Sequence, residues 1–513
     1  MASTRTQNAR RNIYASIANK SVSMLMPFIT RTAIIYFVGV LYLGLNGLFT
    51  SILSVLSLAE LGVGAAMVFS MYEPIAKNDD ETVCALLNLY KKIYRIIGTV
   101  ILTVGLLFTP FVTKVIHGEI PSDTNIYILY LISLSNTVVS YFLFAYKTSL
   151  LAANQRMDVT TNITTILSIV VTIVQIALLA VFRSYYAYCI VTPISTIAGN
   201  LIRSRMADKM FPQYRCAGQV SHELKQEIKK RVFGLAIYRI SSVMRYSLDS
   251  LVLSAFLGLA ALAKYNNYFV IMNAIIGIMN IVTANTTASV GNSIVLESQE
   301  KNYRDFQKIQ LIFMWLAGFF TVGMFCMYQP FMRVWVGKKL MFDDLTMTTF
   351  CVYFFTNKWG DICYLYRQSA GLWWEDRYRP IVEAVVNLTL NIILVQIIGV
   401  KGVMLSTVIG LVFINSIWGS RILFKHYFTD YKQSKYLLEL VWFTLCTAVA
   451  CAACGAVCNF FPQADRSLMA FVYIGIRAII CAVLANVIFW IGYRKLPQYA
   501  EMIELTKRIV KFR

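Results

Sequence analysis

The chain has 513 residues, of which 58% are hydrophobic and only 14% are charged. This apolar content, with a mean hydropathy of +0.61, excludes a water-facing fold of this length. The formal charge of +21 raises the question of nucleic-acid binding, but its distribution along the chain is better explained by membrane topology. We therefore expect an all-α integral membrane protein without a nucleic-acid partner, because lipid leaves helices as the only open structure with a satisfied backbone.

Apolar segments long enough to cross a bilayer recur along the whole chain. The first one continues from Asn12 through Val40 without a signal-peptidase site, so we expect it to stay as a membrane helix. About fourteen transmembrane helices are predicted, at residues 13–40, 44–71, 96–116, 126–146, 160–182, 184–202, 232–258, 265–294, 309–328, 345–366, 380–400, 402–424, 437–460 and 467–493.

The Lys and Arg residues between these segments and at their ends lie mostly on one side of the predicted membrane. With fourteen spans, 33 of them fall on the side of the N-terminus and 8 on the opposite side. Because positively charged loops stay in the cytoplasm, both chain ends are predicted to be cytoplasmic.

Short sequence matches suggest an internal repeat. Residues 146–149, Tyr-Lys-Thr-Ser, recur at 366–369 as Tyr-Arg-Gln-Ser, and a similar offset relates two other places in the chain. We expect two pseudo-symmetric six-helix lobes with a central cavity between them, and two extra C-terminal helices. The predicted parts are an N-terminal tail (1–12), an N-lobe (13–203), a basic cytoplasmic linker (204–231), a C-lobe (232–426), spans 13 and 14 (427–493) and an amphipathic cytoplasmic tail (494–513).

No motif for catalysis or nucleotide hydrolysis is present. The sequence lacks GxxxxGK[ST], HExxH and GxSxG, so we expect neither an enzyme nor a metal site. Cys451, Cys454 and Cys458 share one predicted helix, where such spacing is more often small-residue packing than a redox or metal motif, and we assign them no chemistry.

Nine charged residues lie five or more positions inside the predicted spans. Each costs about 2.5–3.5 kcal/mol at the bilayer centre, so they are expected to be paired or to line a wet cavity. Lys20 and Arg31 lie eleven residues apart, which puts them on one helix face. The nine comprise six basic residues, Lys20, Arg31, Arg239, Arg245, Lys358 and Arg477, and three acidic ones, Glu60, Asp249 and Asp361.

The surplus of basic residues suits an anionic substrate, since arginine binds phosphate in a bidentate manner. Local spacing allows two pairs, Arg245 with Asp249 and Lys358 with Asp361. The structural alternative is that these groups lock helices together or, as for Lys20 and Arg477, extend to the interface. We predict Arg31, Arg239, Arg245, Lys20 and Lys358 as substrate-binding residues.

Three carboxylates are candidates for ion coupling: Glu60, Asp249 and Asp361. Glu60 is the single acid of the second span, and a structural hydrogen-bonded carboxyl is as good an explanation for it as a coupling group. Asp249 is either a switch or the partner of Arg245. No cofactor is expected beyond a coupling H⁺ or Na⁺.

Two segments indicate contact with the membrane surface. Trp373 and Trp374, next to Arg377 and Arg379, favour an interfacial anchor, with a sugar-stacking surface as the alternative. The tail alternates apolar and basic residues from Met502 to the C-terminus, as in a surface amphipathic helix.

Several segments of the sequence resemble those of a known family, the Wzx-type oligosaccharide flippases. These are polysaccharide transporters of the multidrug/oligosaccharidyl-lipid/polysaccharide exporter superfamily. The resemblance extends over nearly the whole chain. It is carried by residues 44–49 (Gly-Leu-Asn-Gly-Leu-Phe), 58–62 (Leu-Ala-Glu-Leu-Gly), 249–253 (Asp-Ser-Leu-Val-Leu), 256–258 (Phe-Leu-Gly), 376–380 (Asp-Arg-Tyr-Arg-Pro) with Glu383 and Asn387, and 399–402 (Gly-Val-Lys-Gly) with Ser406 and Thr407.

This resemblance implies a fourteen-helix fold, alternating access, and an undecaprenyl-pyrophosphate-linked repeat unit as cargo in a bacterial plasma membrane. Membrane lipids, a polysaccharide polymerase and glycosyltransferases are then the expected partners. Two alternatives stay open: a multidrug or organic-cation antiporter of the same superfamily, and a flippase for the peptidoglycan precursor lipid II. The antiporter predicts an acidic cavity, whereas basic residues outnumber acidic ones here.

Overall fold

A computed structural model describes the backbone of residues 5–60, 62–462 and 468–503. Side chains are described in these ranges except at positions 5–10, 13, 59, 233–242, 244, 245, 285, 288 and 468. Every regular element in these ranges is a helix. The all-α prediction is confirmed.

The chain divides into two compact units, Met1–Ala263 and Lys264–Arg513. The helices that begin in the first unit are α1 (Arg5–Phe37), α2 (Val40–Leu56), α3 (Val63–Lys77), α4 (Asp80–Phe108), α5 (Ile126–Phe142), α6 (Lys147–Ala153), α7 (Met157–Phe182), α8 (Tyr185–Met210) and α9 (His222–Leu296), which continues into the second.

The second unit adds eight α-helices and one π-helical segment, Gly410–Trp418, between α14 and α15. Its helices are α10 (Gln299–Trp335), α11 (Asp344–Trp359), α12 (Asp361–Ser369), α13 (Arg379–Ile398), α14 (Val400–Ile409), α15 (Gly419–His426), α16 (Gln433–Cys458) and α17 (Leu468–Tyr493).

Several helices begin at a polar residue whose side chain binds the free backbone N–H groups of the first turn. Asp79 accepts from the Thr82 N–H at 3.0 Å, and Asn125 accepts from the Tyr127 N–H at 3.0 Å. Ser298 does the same at the start of α10. Such caps contribute about 1 kcal/mol each, and they fix where α4, α5 and α10 begin.

Eight of the described helical segments are long and apolar enough to cross a membrane, and a ninth is the bent pair of α5 and α6, with 57° between them. Each predicted span overlaps at least one described helix, but 232–258 and 265–294 both fall in α9, and 402–424 covers α14, the π-helical segment and α15. The length and apolar composition of these helices are those of a multi-pass membrane protein. The number of fourteen spans stays a prediction.

The predicted span 44–71 differs from the structure, because it is broken in the middle. After α2 the chain forms a 3₁₀ turn, Ser57–Glu60, and α3 begins at Val63. Gly62 precedes α3 with φ 83°, a left-handed conformation that an α-helix excludes and that favours glycine. The break places Glu60 at a helix end.

A second break interrupts α9 at Gly258, where φ is 81° and ψ is 177°. The loop after α4 packs against it: the His117 N–H donates to the Ser254 carbonyl at 2.9 Å. A Cβ at Gly44 would lie 2.3 Å from the Leu259 carbonyl oxygen, so glycine is needed for α2 to approach this segment. The predicted boundary at residue 258 coincides with this break.

The predicted domain boundaries stay predictions. The two compact units meet at Ala263 and Lys264, and the predicted linker 204–231 lies inside the first unit, with residues 211–221 as its non-helical part. Of the predicted amphipathic tail, residues 504–513 lie outside the described ranges.

Candidate functional site

Two of the predicted substrate-binding residues, Lys20 and Arg31, lie on α1. Both are half-buried, and α1 is continuous between them. Eleven residues correspond to about 16 Å along the axis and to nearly the same angular position. The prediction that they share one helix face therefore agrees with the structure.

Arg31 lies beside tyrosines of α8. Its guanidinium is within electrostatic reach of the Tyr188 and Tyr185 hydroxyls, and the two rings are stacked with centroids 5.4 Å apart. Tyr185 also contacts the ring of Tyr42 at 4.8 Å, and the Tyr42 hydroxyl donates to Asp123. Arg31 thus lies among tyrosine side chains near the start of α8. The predicted topology puts this end of α8 on the external side of the membrane.

Glu60 is held by tyrosine hydroxyls at the break between α2 and α3. Tyr141 of α5 donates to its Oε2 at 2.7 Å, and Tyr94 of α4 donates to its Oε1. The Tyr90 hydroxyl donates to that of Tyr94 at 2.7 Å. We call Glu60, Tyr90, Tyr94 and Tyr141 the Glu60 cluster. A half-buried carboxyl with three tyrosine hydroxyls can exchange a proton with a hydrogen-bonded network or offer oxygen ligands to a small cation.

The sequence pattern predicted Glu60 as a candidate site residue but did not predict its tyrosine partners. Tyr90 and Tyr94 are four residues apart, which puts them on one helix face. This spacing is the local sequence signal that pairs these two tyrosines. Tyr141 lies on another helix, and no local pattern connects it with Glu60.

The remaining predicted residues of the first unit are described in part. Asp249 is completely buried. The side chains of Arg239 and Arg245 lie outside the described ones, so the predicted Arg245–Asp249 pair stays a prediction.

The predicted pair of the second unit is confirmed. Lys358 Nζ lies 2.7 Å from Asp361 Oδ2, across the short interval between α11 and α12. Lys358 is only 2% exposed and Asp361 24%. This burial favours a structural ion pair, because a buried ammonium needs a close counter-charge.

A larger buried ion cluster in the second unit was not predicted. Arg379 donates to both carboxylate oxygens of Asp376, from Nε at 2.6 Å and from Nη2 at 2.9 Å. Its Nη1 donates to Glu383 at 3.2 Å and to Asn415 at 2.9 Å. Arg367 Nε lies 3.8 Å from Asp376. We call Arg367, Asp376, Arg379, Glu383 and Asn415 the Arg379 cluster.

The Arg379 cluster combines two guanidinium groups with two carboxylates, so its fixed charges balance. Arg367 is 2% exposed, and none of its three side-chain nitrogens has a hydrogen-bond partner among the described residues. It lies directly against α15, where a Cβ at Gly419 would come within 2.0 Å of its Nη1. The spacing of Asp376, Arg379 and Glu383 at i, i+3 and i+7 was the missed local signal.

The tryptophan segment before α13 is exposed, and both the interfacial anchor and the sugar-stacking surface stay predictions for it. Trp374 is 70% exposed, and the Arg377 guanidinium lies 4.0 Å from its ring centroid and 4.4 Å from that of Tyr378. Cation–π contacts of this kind keep an exposed arginine close to aromatic rings.

The helices and the two broken segments define an all-α, multi-pass membrane fold. No family model matches the sequence, and no match was found among curated proteins. Its fold, however, matches solved structures.

One match is the inward-facing conformation of a multidrug resistance MATE family transporter of the MOP superfamily. It has a TM-score of 0.61 and 15% identity, over 79% of this chain and 98% of that chain. The lipid II flippase MurJ, in an inward closed conformation, also has a TM-score of 0.61, with 16% identity over 94% of this chain and 99% of that chain. The outward-facing conformation of a MATE family transporter has a TM-score of 0.54. The chain therefore has the same fold as these solved structures.

Proposed function

We propose that this protein is a secondary transporter that flips an undecaprenyl-pyrophosphate-linked oligosaccharide from the inner to the outer leaflet of a bacterial plasma membrane. The observation that carries the proposal is the MurJ-like fold, which extends over 94% of this chain. The MATE structures cover 79–82% of it. About a fifth of the chain therefore lies beyond a MATE-like core, as expected for a flippase with two additional C-terminal helices.

The charge of the spans supports an anionic cargo. Arg31 and Lys20 lie on one face of α1, and both are half-buried. We assign them, with Arg239 and Arg245, to the pyrophosphate head group, because guanidinium and ammonium groups form the strongest hydrogen bonds with phosphate oxygens. Lys358, which was also predicted to bind substrate, is paired with Asp361 and keeps a structural role. The tyrosine rings beside Arg31 offer apolar faces against which a sugar ring packs.

The Glu60 cluster supports ion coupling. Glu60 lies at the break between α2 and α3, and its carboxylate accepts hydrogen bonds from two helices, α4 and α5. Protonation or cation binding at Glu60 changes these contacts, so the ion is connected with the relative position of three helices. Asp249 and Asp361 are the other coupling candidates, with H⁺ or Na⁺ as the ion.

A lipid II flippase is the second candidate, favoured by the MurJ match itself. The MATE matches favour an organic-cation antiporter. These three functions differ in the charge of the cargo and in its saccharide, so a binding measurement separates them. The cytoplasmic position of both termini and the polymerase and glycosyltransferase partners belong to the same proposal.

The proposal is tested by binding in detergent micelles, with native mass spectrometry as the readout. The ligands are a short-chain polyprenyl-pyrophosphate oligosaccharide, the corresponding polyprenyl monophosphate, lipid II and a lipophilic cation. We expect the pyrophosphate oligosaccharide to bind most tightly and the cation to bind least. Preference for lipid II would transfer the protein to the second candidate, and preference for the cation would contradict an anionic cargo.

A further inference from the structure

Four cysteine thiols converge in the second unit, where three helices pack together. Cys326 of α10, Cys458 of α16 and Cys481 of α17 are all buried, and their Sγ atoms lie within 4.8 Å of one another. Cys454, one turn before Cys458, shares a hydrogen bond with Cys481. The thiols come from three separate helices, so no local sequence spacing brings them together.

Close packing of small residues does not account for the thiols. The close approach of α16 to α10 is made by Gly455, where a Cβ would lie 3.0 Å from the Phe325 ring. Cys454 and Cys458 flank this glycine and are buried. Alanine would serve helix packing equally well at these positions, whereas thiolates are the preferred ligands of soft metal ions.

The spacing of the three sulfur atoms fits one metal ion. With a metal–sulfur distance of about 2.3 Å, three sulfurs around one ion lie about 4.0 Å apart. The Sγ atoms, within 4.8 Å of one another, reach this arrangement by side-chain movements of less than about 1 Å. Cys454 lies one helical turn away and offers a fourth ligand on the same side of α16.

A buried cation next to the thiols balances the charge of such a site. Arg477 lies one turn before Cys481 on α17, and it is 3% exposed. Its Nη2 donates to the carbonyl of Phe461, just beyond Cys458, at 2.7 Å, while its Nε has no hydrogen-bond partner among the described residues. A Zn²⁺ ion with three thiolates carries a net charge of −1, which one guanidinium offsets.

We propose that Cys326, Cys458 and Cys481 bind a thiophilic divalent ion of the Zn²⁺ type and that Arg477 provides its counter-charge. Binding releases three thiol protons and forms three metal–sulfur bonds, so no oxidant is required. The ion connects α10 with the two C-terminal helices α16 and α17. The role is structural and independent of the proposed cargo.

The test measures metal content in the full-length protein. The protein is loaded with Zn²⁺ in micelles, desalted and analysed by plasma mass spectrometry. We expect one zinc per chain in the wild type and a loss of at least about tenfold in the double variant Cys326→Ser/Cys458→Ser. Cys363→Ser, which removes a buried thiol of α12 outside the cluster, is the matched control and is expected to retain its zinc.

Two further measurements keep the proposal testable if the double variant fails to fold. Cd²⁺ added to the wild type is expected to produce cadmium–thiolate charge-transfer absorption that saturates at one equivalent. Arg477→Gln is expected to weaken Zn²⁺ binding about tenfold, with recovery in Arg477→Lys. Wild-type protein without stoichiometric zinc or cadmium, or equal retention in the double variant, overturns the proposal.

Discussion

The Arg379 cluster gives the sharpest prediction about stability. Asp376 accepts two hydrogen bonds from Arg379, and its Oδ2 lies 3.8 Å from Nε of Arg367. Asp376→Ala therefore leaves two buried guanidinium groups with the single carboxylate of Glu383. Removing one partner of a buried pair costs about 3–5 kcal/mol, because the other charge stays desolvated.

We expect the lower end of that range, about 3 kcal/mol, since Glu383 and Asn415 still bind Arg379. This corresponds to about a hundredfold change in the unfolding equilibrium. The assay is reversible unfolding in mixed detergent micelles. Glu297→Ala is the control, because Glu297 forms a half-exposed pair with Lys301 that contributes at most about 1 kcal/mol. Equal stability of Asp376→Ala and Glu297→Ala would refute the buried-pair argument.

Five other substitutions test the roles of residues in the spans. Arg31→Ala and Arg245→Ala are each expected to lower saccharide transport at least tenfold, about 1.4 kcal/mol of head-group binding, with membrane insertion intact. Glu60→Gln removes the carboxylate of the Glu60 cluster, so transport is expected to lose its acceleration by an ion gradient. Lys358→Ala leaves the partly exposed carboxylate of Asp361 without its partner. Asp361→Ala leaves the buried ammonium of Lys358 without a counter-charge, so it is expected to destabilise the fold more, by about 3–5 kcal/mol.

The predictions about transport have matched controls. Arg304→Ala removes a half-exposed arginine of α10, and normal transport in that variant shows that loss of positive charge alone is not the cause. Glu73→Gln removes an exposed carboxylate of α3 and is expected to keep gradient dependence. Full export by Arg31→Ala and Arg245→Ala, or gradient-driven transport by Glu60→Gln, would contradict the assigned roles.

Hydropathy was sufficient for the fold class, because lipid forces an apolar segment to be a helix whatever it packs against. The break at Gly258 was also marked by a predicted boundary. The break before Gly62 was not, since the apolar pattern continues through residues 44–71 and hydropathy does not respond to a change of backbone direction. Recognition of a left-handed glycine requires the backbone itself.

The contacts of the candidate site also fall into two groups, those that local sequence spacing predicts and those that it does not. Local spacing was enough to predict the Lys358–Asp361 pair, and it was also available for Asp376 and Arg379, which were assigned to an interfacial segment instead. The contacts of Glu60 with Tyr141 and of Arg31 with Tyr185 join helices far apart in sequence, so they depend on tertiary packing that one sequence does not specify.

The structure explains why particular residues occur in the segments that carry the family resemblance. Gly44 lets α2 approach Leu259, and a Cβ at Gly402 would lie 2.2 Å from the Leu394 carbonyl oxygen. Asn387 donates to Thr407 at 2.9 Å between α13 and α14. These positions therefore serve helix packing in the first place.

The central claim is that a lipid-linked saccharide is the cargo, and translocation in proteoliposomes tests it most directly. A short-chain polyprenyl-pyrophosphate saccharide and a lipophilic cation dye are compared, each with and without a proton gradient. We predict that the saccharide crosses the bilayer only in vesicles containing the protein and that the dye does not. Movement of the dye alone would contradict the flippase account and would reassign Glu60 and Asp249 as cation-binding carboxylates.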